Sequence, residues 1–263
     1  MKAVSGWLII AMLLMLAIPA AAQQHAVGID PEALIEQIVN IEKKQREQIK
    51  DVTFDTELLI GENDNKMIFQ EKSRFFKKVY LKFLDDTTWF HEEYLEYYEK
   101  DELQSAEKRD EKAAERIEKR RKRKGNFISR PMLLPFYPES REYYDIIYEG
   151  VTEDKIDDHV CHQFSVHSKV EEESYINGDF FFEAETFHLV RVDFTLVNLK
   201  SLDISISYSP SPDGFWLLRQ IEIKGKRKTA FLFSENFATF EYFRNPQINT
   251  NLPDKLFEAD NEK

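Results

Sequence analysis

The stretch that decides the fold runs from Tyr175 to Gly225 and reads YINGDFFFEAETFHLVRVDFTLVNLKSLDISISYSPSPDGFWLLRQIEIKG. Apolar and polar residues alternate along its extended segments, most clearly in LDISISY at residues 202–208. Bends rich in Gly, Pro, Asn and Asp separate four such segments, which is the pattern of strands joined by turns. Because parallel neighbours need a long crossover, connections this short require antiparallel pairing. The stretch therefore predicts an antiparallel meander.

The rest of the chain extends this sheet on both sides. Alternation predicts further strands at residues 52–60, 67–83 (one strand, or two with a bulge), 144–148, 160–167, 230–233 and 236–243, which gives about ten or eleven strands in all. Asp30 and Pro31 are an N-cap and a first-turn proline, and the apolar stripe that follows predicts an amphipathic helix to about Lys50. The fold class is therefore α+β, mainly antiparallel β.

A charged segment interrupts the strands between Glu92 and Lys124. It contains eleven acidic and eleven basic residues, acidic early and basic late, which suits the dipole of a helix. Because it has few apolar residues, we expect a helical insertion over residues 92–124 that is mostly solvated and projects from the body. Its basic end either completes the helix dipole or contacts lipid headgroups or an acidic partner. The candidate contact residues are Lys119, Arg120, Arg121, Lys122, Arg123 and Lys124.

The N-terminus is typical of a secretory signal peptide. A lysine at position 2 precedes an apolar run over residues 7–18, and the alanines at 20–22 predict cleavage after about Ala22. The alternative is an uncleaved signal anchor. Export predicts a periplasmic protein, consisting of a signal peptide at 1–22 and a single domain at 23–263. Cys161 is the only cysteine, so we interpret it as a buried small hydrophobe, the alternative being a thiol that pairs with another chain.

Several functional classes find no support in the sequence. It lacks the phosphate-binding, dinucleotide, serine-hydrolase and zinc-protease motifs, so we expect no enzyme and no cofactor. His159 and His167 would lie too far apart along one strand to share a metal ion. The net charge of −12 argues against nucleic-acid binding, which needs a basic surface.

The apolar content exceeds what a one-sided sheet needs. The chain has 21 Phe, 11 Tyr and 3 Trp, and Phe180–Phe182 place bulky rings on both faces of one strand. The N-terminal helix and the proline-rich loop at residues 127–138 can cover one face, the loop acting either as packing or as a flap. The remaining apolar surface is either a filled aromatic core or a cavity for an apolar ligand. The candidate cavity residues are Phe54, Phe69, Phe75, Phe182, Phe194, Ile204, Ile206 and Phe231.

The chain also resembles the outer-membrane lipoprotein carrier and sorting proteins, which share the LolA/LolB-like fold. The resemblance lies in the segments GDFFFEAETFHLVRVDF, YSPSPDGFWLLRQIEIKG and DDHVCHQF, and in the order of helix, paired strands and meander. It implies a curved half-barrel sheet, covered by helices, whose aromatic-lined concave side accommodates acyl chains. The charged insertion at 92–124 departs from this pattern, and no residue matches the arginine that closes the carriers' lid.

The resulting hypothesis is a periplasmic, non-enzymatic protein that holds a lipid or a lipoprotein acyl chain. Peripheral contact with a membrane and binding of an envelope protein partner are compatible with it. The alternative is a structural or interaction module of the cell envelope, with a filled core, that docks partners through its charged helix. A hydrolase is a distant third.

Overall fold

The computed structural model describes residues 29–63, 68–84, 87–122, 134–172, 175–197, 201–230 and 233–258. Side chains are described for these residues except 121, 122, 134, 227–230 and 233–235. The chain divides into two compact units, residues 1–34 and 35–263. Of the first unit only residues 29–34 are described, and they include the beginning of helix α1. The predicted signal peptide lies outside the described residues, as does Phe231.

The described residues of the second unit include eleven strands, which form one sheet. They are β1 Asp51–Asn63, β2 Phe69–Phe83, β3 Thr88–Glu99, β4 Glu102–Leu103, β5 Tyr144–Val151, β6 Cys161–Ser168, β7 Ile176–Glu183, β8 Leu189–Leu196, β9 Leu202–Pro210, β10 Trp216–Ala230 and β11 Phe233–Ile248. Two α-helices, α1 Pro31–Gln48 and α2 Ala106–Lys122, and short 3-10 turns at Leu134–Phe136, Arg141–Tyr143 and Asp254–Phe257 accompany them. In the described residues no helix is both long and apolar enough to cross a membrane.

The sheet is open, and every neighbouring pair of strands is antiparallel. Its order is β4-β3-β2-β1-β11-β10-β9-β8-β7-β6-β5, so the last strand returns to pair with the first. The predicted meander is β7 to β10, and its neighbours in sequence are neighbours in space. The prediction of a curved α+β half-barrel of ten or eleven strands is confirmed.

The meander buries the side chains that its alternation selected. Val190, Val192, Phe194 and Leu196 of β8 are all buried, at 7% exposure or less, while the residues between them are half-buried. The three consecutive rings Phe180–Phe182 are also buried, which requires cover on both faces of β7. Cys161 is a free, buried thiol, as predicted.

Helix α1 also matches its prediction. The Asp30 carboxylate accepts a hydrogen bond from the Glu32 backbone at 3.1 Å, which satisfies a donor that the first helical turn leaves free. The helix ends at Gln48, two residues before the predicted end. Ile38, Val39 and Ile49 are buried, so the apolar stripe faces the protein interior.

The charged segment, in contrast, is not the single helix that was predicted. Residues 92–99 belong to β3, which pairs with β2 over its whole length, and α2 begins only at Ala106. The cause is that β3 alternates between a buried and an exposed face, and the carboxylate of Glu92 on the buried face is neutralised by cations from β2 and α2. The acidic half of the segment thus balances charge across strands and not along a helix.

Helix α2 also packs closely along β3 and does not project into solvent. Ala113 is buried at 8% exposure, and the guanidinium of Arg109 donates to the backbone carbonyl of Leu95 at 2.9 Å. Because β4 is only two residues long, most of β3 would otherwise be an open edge, and covering such an edge with a helix prevents pairing with other chains.

Candidate functional site

An apolar cleft lies between helix α1 and the concave face of the sheet. Its volume is about 170 Å³, and one side is open to solvent. Its walls come from α1, from β1 and β2, from β9 and β10, from the turn between β7 and β8, and from the first residues of β3 and β8. The lining residues are Ile38, Ile41, Glu42, Gln45, Arg46, Ile49, Val52, Phe54, Leu81, Phe83, Thr88, Phe187, His188, Leu189, Ile206, Tyr208, Trp216, Leu217, Leu218 and Ile221.

The walls are aliphatic and aromatic, and the few polar groups come mainly from α1. Arg46 lies 3.5 Å from the carboxylate of Glu42 and is 38% exposed. The hydroxyl of Tyr137 donates to Glu42 at 2.5 Å. Burial raises the pKa of Glu42, although the Tyr137 hydrogen bond and Arg46 oppose that shift. The cleft is therefore suited to an apolar ligand with its polar end at the surface.

Gln45 fastens α1 to the sheet beside the cleft. Its amide nitrogen donates to the carbonyl of Trp216 at 2.9 Å, and its amide oxygen accepts from the Trp216 backbone nitrogen at 2.8 Å. The two bonds occupy both backbone groups of the first residue of β10, much as a neighbouring strand would. They hold the helix at the position that leaves the cleft open.

Two histidines stack against the rings around the cleft. His188 lies parallel to Trp216 with ring centroids 5.5 Å apart, and His162 lies parallel to Phe187 at 5.7 Å. Burial lowers the pKa of both His162 and His188, while the carboxylate of Glu183 partly opposes the shift. Both imidazoles are therefore held in the neutral form more strongly than in the unfolded chain.

Acidification should destabilise the fold through these two histidines. Because the unfolded chain takes up the protons more readily, stability is full above the ordinary histidine pKa of about 6.5 and falls as the pH drops below it. We expect the melting temperature to decrease from pH 7.5 to pH 5.5. His188→Phe, which keeps the stack on Trp216, should make that decrease smaller. His167→Phe, at an exposed site, is the control and should leave the decrease unchanged.

The structure brings only some of the predicted cavity residues to this cleft. Phe54 and Ile206 line it. Phe194 and Ile204 are opposite each other across β8 and β9 in the buried core, and neither lines the cleft. Phe69 is half-buried and packs edge-on against Phe240 at 4.9 Å. Whether these positions contact a ligand stays a prediction.

Two other predicted cavity residues lie where the concave face is already filled. Phe75 stacks on Tyr97 at 4.5 Å in a cluster with Leu58, on the strands that α2 covers. Phe182 contacts the ring of Phe136 at 5.4 Å. Phe136 belongs to the described end of the proline-rich loop and is fully buried, so this part of the loop packs over the core.

The predicted basic contact residues have divided roles. Lys119 is 65% exposed and pairs with Glu115 on the same helix at 2.5 Å. Arg120 points inward, pairs with Glu92, and lies 4.5 Å over the ring of Phe90. The side chains of Arg121 and Lys122 are outside the described residues, as are Arg123 and Lys124 entirely. Contact of this run with headgroups or a partner stays a prediction.

Arg120 is part of a buried charge cluster that the sequence did not reveal. Lys77 on β2 contacts Glu92 and lies 2.8 Å from the carboxylate of Glu241 on β11. Burial alone would lower the pKa of Lys77, but the two carboxylates outweigh it and raise that pKa. Conversely, burial would raise the pKa of Glu92, but Lys77 and Arg120 outweigh it and lower that pKa. Lys77 and Glu92 therefore stabilise each other in their charged forms.

Several lining residues could not be assigned to a site from sequence. Tyr208, Trp216 and Leu218 belong to predicted strands, but the sequence does not indicate that these strands lie opposite α1, which forms the other wall of the cleft. Phe187 and His188 lie in a predicted bend, and nothing in their spacing indicates that they form a wall. Within the described ranges, no three His, Cys, Asp or Glu residues are grouped so that they could hold a metal ion.

No protein-family model and no curated protein matches the chain. Among solved structures it is similar to a DUF1329 family protein from Desulfovibrio piger, at 14% identity and a TM-score of 0.48, covering 88% of this chain and 98% of that one. A domain from Vibrio parahaemolyticus described as an outer membrane lipoprotein-sorting protein matches at 11% identity and 0.45, covering 86% and 98%. A LolA superfamily protein from Nitrosomonas europaea matches at 9% identity and 0.37, covering 88% and 98%.

Proposed function

We propose that the protein is a non-enzymatic binder of acyl chains, exported to the periplasm, and that the cleft between α1 and the sheet is its ligand site. The chain adopts the open, curved half-barrel that its resemblance to the lipoprotein carrier and sorting proteins implies. The function proposed for this chain rests on the cleft. The observation that carries it is an open cavity walled by aliphatic and aromatic side chains, with its polar groups concentrated on one helix.

The dimensions of the cleft favour one narrow apolar chain over a bulky ligand. A cavity of about 150 Å³ lined by apolar side chains binds a molecule the size of benzene, so about 170 Å³ holds several methylene groups. The remainder of a longer chain would leave through the open side. Arg46, whose side chain is 38% exposed, would meet the carboxylate, ester or amide at the polar end of the chain, while Gln45 stays bonded to Trp216.

Export is the second part of the proposal, and its support comes from the N-terminal sequence. The apolar run and the alanines at 20–22 fit a cleaved signal peptide, which leaves residues 23–263 as the mature domain. A periplasmic acyl-chain binder would shield from water the lipid of a lipoprotein or a free lipid. Mass spectrometry of lipids extracted from the purified mature protein would identify the class of the bound lipid.

Filling the cleft tests its role directly. Ile41 on α1 is half-buried and lines the cleft, so Ile41→Trp should occupy the space that a chain needs. We expect at least about a tenfold loss of affinity for a fluorescent fatty acid, since a misfit of one methylene already changes binding by about that factor. The measurement is fluorescence titration of the folded variant.

Ile147→Trp provides the matched control. Ile147 is 48% exposed on the edge strand β5, so the same chemical change there should leave the affinity within twofold of the unchanged protein, as is usual for surface sites, about ±0.5 kcal/mol. Equal affinities of Ile41→Trp, Ile147→Trp and the unchanged protein would refute the cleft as the site.

The interaction module is the alternative, and it would use the outer face of α2. Lys119 and Glu115 lie on that face and pair with each other, while Arg120 is engaged with the sheet. A docking surface there would therefore contact its partner through exposed side chains of both charges. Co-purification of a partner with an empty cleft would favour this alternative.

A further inference from the structure

The turn between β7 and β8 contains a phenylalanine in a backbone conformation that bulky residues avoid. Phe187 has a φ of +60°, in the left-handed region where a Cβ atom crowds the following carbonyl. The other described non-glycine residues with positive φ are Lys100, Asp101, Asp157, Asp158, Asn245, Asn249 and Asn251. Most of these are Asp or Asn, which tolerate this region. Phe187 is the one aromatic residue among them.

Contacts within the turn hold the strained conformation in place. One carboxylate oxygen of Glu183 accepts hydrogen bonds from the backbone nitrogens of Glu185 at 2.9 Å and Thr186 at 2.6 Å. The Phe187 nitrogen donates to the Glu183 carbonyl at 2.9 Å, and the Glu183 nitrogen donates to the His188 carbonyl at 2.9 Å. Four hydrogen bonds, all of which involve Glu183, thus close the turn.

The ring of Phe187 is fixed as firmly as its backbone. It lies parallel to His162, at 8° between planes, and a ring nitrogen of His162 is 2.9 Å from the hydroxyl of Tyr148. The next residue, His188, stacks on Trp216. Phe187, His188 and Leu189 all line the cleft, so the turn is one of its walls.

We propose that Phe187 sets the selectivity of the cleft by limiting the length and width of the apolar chain that it takes. Glycine would form the same turn without strain. We therefore infer that the strained backbone of Phe187 is retained because its ring has a role in the cleft. Strained residues held by their surroundings are concentrated at functional sites. The ring closes the cleft on the side of His162, where the end of a bound chain would otherwise extend. This inference rests on the proposed function.

Phe187→Gly tests the proposal because it removes the wall and relieves the strain together. The measurement is the ratio of dissociation constants for stearate and octanoate, obtained by displacing a fluorescent naphthylamine from the mature protein. We expect the ratio to move by about tenfold in favour of stearate, with a melting temperature close to that of the unchanged protein. Phe187→Leu, which shortens the wall, should give an intermediate ratio and provides the test if the glycine variant does not fold.

Lys100→Gly is the matched control. Lys100 has a φ of +51° in the exposed turn between β3 and β4, away from the residues that line the cleft, so it undergoes the same backbone change. Its ratio should equal that of the unchanged protein. Fatty-acid binding with an unchanged ratio in both Phe187 variants would overturn this proposal and leave the proposed function standing. Failure of the unchanged protein to bind either fatty acid would overturn both.

Discussion

Replacing Lys77 with methionine is expected to lower the free energy of unfolding by about 3–5 kcal/mol, the usual cost of breaking a buried ion pair by removing one partner. The Lys77 side chain is 2% exposed and lies against Glu92 and Glu241, whose side chains are 8% and 13% exposed. Glu92 keeps Arg120. In the described part of the chain Glu241 has no second ion-pair partner, so its charge would stay buried and uncompensated. Urea unfolding followed by circular dichroism measures the loss.

Two further variants separate this explanation from a simple packing effect. Lys77→Met combined with Glu241→Gln removes the orphaned charge and should recover a large part of the lost stability. Lys78→Met makes the same change at the neighbouring position, which is half-buried and on the opposite face of β2. It should change stability by less than about 0.5 kcal/mol. A loss below about 1 kcal/mol for Lys77→Met would contradict the buried cluster.

Lys77 also illustrates what a sequence can and cannot indicate about this fold. The alternation of β2 was read correctly, with Phe75, Val79 and Leu81 buried on one face. Lys77 has the same parity as these residues, so its burial follows from the pattern. Its partners do not, because Glu241 lies on the strand that closes the sheet against β1. The ion-pair partners of a buried lysine can be predicted only once the pairing of β11 with β1 is known.

The sequence indicates the lining residues of some walls of the cleft better than those of others. Alternation along β1 and β9 indicates Phe54 and Ile206 as candidate cavity residues, and both line the cleft. Whether either contacts a ligand stays a prediction. The turn residue Phe187 was not selected, because a bend between strands specifies a connection and not the surface it faces. The alternation of β7 indicates which face of the sheet Phe182 lies on. It does not indicate whether the space on that face is empty or filled by a loop that is distant in sequence.

Phe136 is that filling residue, and Phe136→Ala is expected to cost about 3–5 kcal/mol of stability. Its ring is fully buried and meets three others edge-on, with centroid distances of 5.6 Å to Phe164, 5.0 Å to Phe180 and 5.4 Å to Phe182. Truncation therefore removes the transfer free energy of the ring and leaves a cavity among rings that β6 and β7 hold in place. Urea unfolding again gives the magnitude.

The control is Phe215→Ala, at a half-buried position before β10, where part of the ring is already in water and the cost should be about 1 kcal/mol. A second readout distinguishes packing from a flap. If Phe136 packs permanently, benzene should raise the melting temperature of Phe136→Ala by more than that of the unchanged protein, because the variant adds a second apolar cavity to the cleft that both proteins have. A loss as small as that of Phe215→Ala would instead mean that the loop opens readily, and that the concave face beneath it is available to a ligand.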